Sequence, residues 1–122
     1  MKIKMLERPI GGMPIDWTIA TSAEEFEAVQ KHHKVDARYV DEWQLHSDQY
    51  DGTTHYFDRL IIVCVSLDVQ SGVLVHEAVH VFEAMMRMIG ETKPGEETRA
   101  YCTQFIYETM ANEIKARSKH NA

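Results

Sequence analysis

Cysteine is scarce in this chain: Cys64 and Cys102 are the only two among 122 residues. One sits in a strongly apolar run and the other in a helical pattern; their number allows one disulfide, but nothing about them suggests the disulfide framework of a small secreted domain. Buried free thiols in a reducing compartment are the expectation. Long apolar runs are missing as well. No stretch approaches the roughly 18 apolar residues of a membrane-spanning helix, and the N-terminal MKIKMLERP lacks the uninterrupted apolar segment of a secretion signal. The sequence therefore predicts a cytoplasmic protein with no membrane partner. Positive charge is also in deficit, with 13 Lys and Arg against 19 Asp and Glu and a net charge of −6. A phosphate backbone would meet a repulsive average field, so no nucleic-acid partner is expected. The basic run from Lys115 to His120 suits a helix C-terminus, where cations complement the dipole.

What is present has a globular balance, 44% hydrophobic and 26% charged, enough for one core and one domain over residues 1–122. Lys2 to Leu6 alternates charged and apolar residues like a half-buried strand, GGMP at 11–14 punctuates it, and Ile15 to Ala20 reads as a second short strand. Ser22 followed by Glu25 has capping-box spacing and predicts a helix running to about Lys34. Residues 35–59 are polar and aromatic by turns, with Val35 to Val40 a possible strand and Asp51-Gly52 a turn signal. The run LIIVCVSL, Leu60 to Leu67, is β-branched and continuously apolar, which predicts a strand covered on both faces. Asp68 then offers an N-cap for a helix over Val69 to Ile89, which Gly90 can end in the left-handed conformation. After the breakers Pro94 and Gly95, a last helix from Glu96 to about Lys119 carries Cys102, Ile106 and Met110 every four residues.

Inside the middle helix lies VLVHEAVHVFEAMM. His76 and His80, four apart, project from one helix face about one turn from each other, a spacing that can close on one metal ion. Glu77 lies about 100° round the helix, where a carboxylate can serve as general base without becoming a ligand. This division of labour suits peptide hydrolysis. A divalent ion polarises a poor electrophile and acidifies a poor nucleophile, and a carboxylate carries the proton. Two imidazoles suit zinc well. The plainer alternative is a hydrogen-bonded histidine pair on an ordinary helix. A catalytic zinc commonly has three protein ligands. Glu83 and Met86 stand where the metzincin pattern needs Gly and His, which excludes that class, while PGEETRAYCTQF supplies Glu96 and Glu97 on the next helix.

HEAVH followed by a turn and ETRAY resembles the gluzincin pattern, an HExxH helix followed by a helix bearing a Glu ligand with Ala three residues on. The likeness covers roughly residues 60 to 110 and is similar to compact zincin-like metallopeptidases of bacteria and their phages. It implies a small α+β zincin-like fold, with a short mixed sheet against the HExxH helix and a C-terminal helix. It also implies a zinc cofactor held by His76, His80 and Glu97, with Glu77 as general base. Ala100 in the small-residue position favours Glu97 over Glu96. Tyr101 departs from the Asp that thermolysin-like enzymes carry there. The preceding strand, near Leu60 to Leu67, is implied as the ledge for an extended substrate.

Tyr101 shares a face with Glu97 and reads either as an O–H donor to a developing oxyanion, or as a tyrosine of the core or one that supports a metal ligand. His46 and His55 are weaker candidates for the same task. Adjacent His32 and His33 diverge on a helix and do not read as a ligand pair. Met85, Met86 and Met88 read as core filling or an interaction surface. The function expected is zinc-dependent cleavage of a peptide or protein substrate. The second reading is a zincin-like binding protein of phage origin, with a metal site and no peptidase activity.

Overall fold

The structure is a computed structural model and describes residues 2–36 and 51–120. In chain order the elements are β1 (Asp16–Ala20), α1 (Ala23–His33), β2 (Gly52–Phe57), β3 (Leu60–Val65), α2 (Ser71–Met88) and α3 (Glu96–His120). The described residues make a small α+β domain whose strands form a mixed sheet of order β1-β3-β2. β3 runs parallel to β1, with Asp16 opposite Leu60, and antiparallel to β2, with Phe57 opposite Leu60. All six residues of β3 are buried, as its unbroken apolar run requires.

Side-chain alternation divides the core. Trp17, Ile19, Ile61, Val63 and Val65 pack with Leu74, Ala78, Val81, Phe82 and Met85 of α2 and with Cys102, Ile106 and Met110 of α3. Ala20, Leu60, Ile62 and Cys64 face the other way, onto Phe26 and Val29 of α1. The sheet therefore lies between α1 on one face and the α2–α3 hairpin on the other. Each buried large aliphatic or aromatic side chain contributes about 1.5–3 kcal/mol, so the two layers together hold the helices to β3.

The capping reading of α1 holds. Ser22 Oγ accepts from the Glu25 amide at 3.1 Å, while Glu25 Oε1 accepts from the Thr21 amide at 2.7 Å. Lys34 ends the helix in the left-handed region, at φ 55°. The α2 start differs from expectation. Asp68 accepts from the Ser66 hydroxyl, leaving Gln70 at the N-cap without a side-chain bond. Gly90 closes the far end at φ +78°. Lys2 to Leu6 is not a strand; instead the segment is fastened to β1 by Leu6 N–H to Trp17 O at 2.8 Å and Thr18 Oγ1 to Lys4 O at 2.6 Å. Of the strand expected over Val35 to Val40, Val35 and Asp36 are not in one, and 37–40 lie outside the described residues. No helix among the described residues is long and apolar enough to cross a membrane.

Cys64 and Cys102 are free and buried on opposite faces of the sheet. Burial pushes the Cys64 thiol up to about 12, overriding its hydrogen bond with Thr53, and burial also raises Cys102. Neither thiol should react with iodoacetamide at pH 8 in the folded protein, and both should react in denaturant. Mass spectrometry reads this directly. Labelling of either before unfolding would contradict the packing.

At the far end of α3, Arg117 Nη1 donates to both Glu25 oxygens, at 2.7 and 2.8 Å, and its Nε donates to Glu113 Oε2 at 2.9 Å. Lys4 Nζ reaches Glu113 Oε1 at 2.7 Å. Burial alone would raise the Glu113 carboxyl, but hydrogen bonds and charge from Lys4 and Arg117 outweigh it and hold the group below its ordinary value. A depressed carboxylate adds stability that is present above the unfolded-state value, about 4.3, and is lost as pH falls through the folded one. Urea titration should therefore show the advantage of the parent over Glu113→Gln at pH 7 shrinking below about pH 4. A constant advantage would refute the assignment.

Candidate metal centre

The outward stripe of α2 comprises Gly72, Val75, His76, Val79, His80, Glu83 and Arg87, all exposed. The helix period places both histidines on it, and their Nε2 atoms lie 3.1 Å apart with the rings nearly perpendicular. Two nitrogens at 2.0–2.1 Å from one zinc ion and 3.1 Å from each other subtend about 100° at the metal, near the tetrahedral angle. The separation of the pair is thus that of two ligands of one ion.

Glu77, beside them, is buried. Its side chain is 4% exposed, against 69% for His76, and is packed beneath β2. Thr54 Oγ1 donates to Glu77 Oε1 at 2.6 Å, and Oε2 lies 4.0 Å from His76 Nε2. The helix therefore presents two imidazoles to solvent and one carboxylate at their flank. A buried carboxylate without a donor would be costly, and the Thr54 hydroxyl meets that need.

Comparison with protein-family models, curated proteins and solved structures finds no match. What the site can do is read from its own geometry.

The third ligand expected at Glu97 is not gathered beside the histidines. Among the described residues no group of three His, Cys, Asp or Glu side chains is placed to hold a metal. The hairpin register gives the reason. Arg99 Nη1 donates to Glu83 Oε1 at 3.0 Å and its guanidinium lies 5.2 Å from the Phe82 ring, so the first turn of α3 runs beside the part of α2 that follows His80. Glu96 and Glu97 are both exposed in the first turn. Tyr101 is 60% exposed, which rules out the core reading; its ring lies 6.3 Å from that of Phe105.

His55 is removed from the site by strand alternation. Its ring lies 4.8 Å from that of Phe26 on the α1 face, tilted by 46°, and bonds with Thr53 Oγ1, whereas Gly52, Thr54 and Tyr56 share the α2 face. His46 lies outside the described residues. The substrate ledge inferred at Leu60 to Leu67 also needs correction: β3 is paired on both edges and has no free hydrogen-bonding edge. Met85 and Met86 are buried core residues, and Met88 packs partly buried against them.

Gly52 and Thr54 were not signalled by the sequence as site residues. Asp51-Gly52 looks like an ordinary turn, but a Cβ at Gly52 would sit 2.9 Å from Val73 Cγ1, 3.1 Å from Val65 Cγ1 and 3.2 Å from Glu77 Cγ. Glycine is needed here for close approach of strand and helix. Gly52→Ala should cost about 1–3 kcal/mol, as overpacking does, read as a lowered melting temperature. An unchanged melt would mean that the strand–helix contact yields freely.

Proposed function

We propose that this protein is a zinc-dependent hydrolase of peptide bonds with a zincin-like fold, acting on a peptide or protein substrate. The observation that carries the reading is the convergence of the His76 and His80 Nε2 atoms, 3.1 Å apart, with the Glu77 carboxylate buried at their flank. A metal held only for stability has no use for that carboxylate. When bound, zinc supplies a Lewis acid that polarises a carbonyl and lowers the pKa of water.

The chain's own residues do the rest. His76 and His80 hold the ion from one helix face, and the helix backbone fixes their separation. Glu77 accepts a proton from the attacking water at Oε2, since Oε1 is occupied by Thr54, and returns it to the leaving amine. Tyr101, exposed on α3, is the assigned O–H donor to the developing oxyanion. Glu97 is the carboxylate that the resemblance assigns to the metal; exposed in the first turn of α3, it would have to swing toward the histidines to join them. Glu97→Ala should weaken zinc at least tenfold and Glu96→Ala little, measured by titration against a chelator. Equal, negligible effects would remove Glu97 from the site.

The ungathered third ligand favours one second reading, a zincin-like binding protein that carries metal without peptidase activity. A zinc-loaded sample tested on a quenched-fluorescent peptide library separates the two. The hydrolase should cleave, and a chelator should stop it. Binding of zinc with no cleavage of any peptide would leave the second reading.

A further inference from the structure

We infer that Thr54 is a positioning residue that selects which oxygen of Glu77 faces the histidine pair; the inference rests on the hydrolase reading above. The juxtaposition is built by three elements. β3 fixes β2 through the Thr54–Val63 pairing, Gly52 leaves room for the Glu77 side chain against Val65 and Val73, and α2 delivers Glu77 into that space.

A carboxylate on a flexible side chain has two equivalent oxygens and a broad terminal torsion, so burial alone does not aim it. Here the oxygens are made different. Oε1 takes the Thr54 hydroxyl at 2.6 Å, and Oε2 is left 4.0 Å from His76 Nε2. The other β2 side chains on this face do not compete: Gly52 has none, and the Tyr56 ring lies 5.3 Å from the Arg87 guanidinium. Thr53 and His55 point to the α1 side, where they bond to each other. Thr54 is therefore the β2 hydroxyl facing the carboxylate, and it orients the general base from outside the metal ligands. It acts through its bond to Glu77 and is not itself a catalytic residue.

The test uses Thr54→Val, which preserves shape and removes the hydroxyl, and Thr54→Ser, which keeps the hydroxyl and removes a methyl group. Loss of a group that orients a site residue commonly costs 10–100-fold. On a peptide cleaved by the zinc-loaded parent, Thr54→Val should lower kcat 10–100-fold with KM and zinc affinity within about threefold. Thr54→Ser should restore most of kcat. A Thr54→Val variant with parental kcat overturns the inference, as does a Thr54→Ser variant as slow as Thr54→Val. Crystal structures of the metal-free proteins give a readout independent of activity. The Glu77 carboxylate should turn in Thr54→Val and hold its place in Thr54→Ser; an unmoved carboxylate in Thr54→Val overturns the inference. If the parent cleaves nothing, the hydrolase reading fails by itself, and these structures still decide whether Thr54 aims Glu77. Should Thr54→Val not fold, Thr54→Ala takes its place with the same expected outcomes.

Discussion

Glu77→Gln is expected to abolish hydrolysis and leave zinc in place. Glutamine has nearly the shape of glutamate, and its amide oxygen can still accept from Thr54 Oγ1, now 2.6 Å from Glu77 Oε1. The buried packing beneath β2 is thereby retained. An amide cannot take the proton from attacking water, however, and general-base catalysis is worth about 10²–10⁴ in rate. The variant should lose at least 10²-fold in kcat. Its zinc affinity should stay within about threefold of the parent, because Glu77 faces away from solvent while the imidazoles face into it. A variant that cleaves at the parental rate would remove Glu77 from the chemistry. A variant that loses zinc as well would make Glu77 a ligand.

The second large effect is expected from replacing His76 and His80 together with alanine. Both residues are exposed and bond to each other, so the metal-free fold should tolerate the change with a melting temperature close to the parent's. Zinc should separate the two proteins sharply. A ligand that binds only the folded state stabilises it by RT ln(1 + [L]/Kd), about 4 kcal/mol at a thousandfold excess over Kd. The parent should therefore melt several degrees higher with saturating zinc, whereas the double variant should not respond. An equal zinc-dependent rise in both would place the ion elsewhere.

Much of the fold was legible because its signals were local or strongly periodic. The unbroken apolar run of β3, the Ser22–Glu25 cap and the four-residue repeat Cys102, Ile106, Met110 each followed from short-range rules. Gly90 ended α2 as expected. The N-terminal segment alternates like a strand, yet only isolated bonds tie it to β1. That outcome depends on tertiary contacts with Trp17 and Thr18, which its own pattern does not encode. β2 was missed for a related reason: GTTHYF carries no apolar alternation, and its place is set by pairing with β3.

The site was legible as far as one helix carries it. The period of α2 fixes the histidine pair and the sideways Glu77, and these residues lie where that period puts them. Relations between elements were not encoded in the same way. Resemblance and helix faces point to Glu97, but the level at which α3 crosses α2 follows from how the two helices pack in their shared core, which neither helix's own pattern encodes. Thr54 and Gly52 reach the site only because β2 lies on the α2 side of the sheet edge. An aromatic such as Tyr101 usually buries, but the inward face of α3 is already filled by Cys102 and Ile106.

Diffraction data collected above and below the zinc absorption edge, from crystals of the zinc-loaded protein, test the central claim most directly. One anomalous peak is expected within 2.0–2.1 Å of Nε2 of both His76 and His80, with Glu77 beside the ion and not bound to it. A peak at another site, or no peak with the two imidazoles still hydrogen-bonded to each other, would contradict the account.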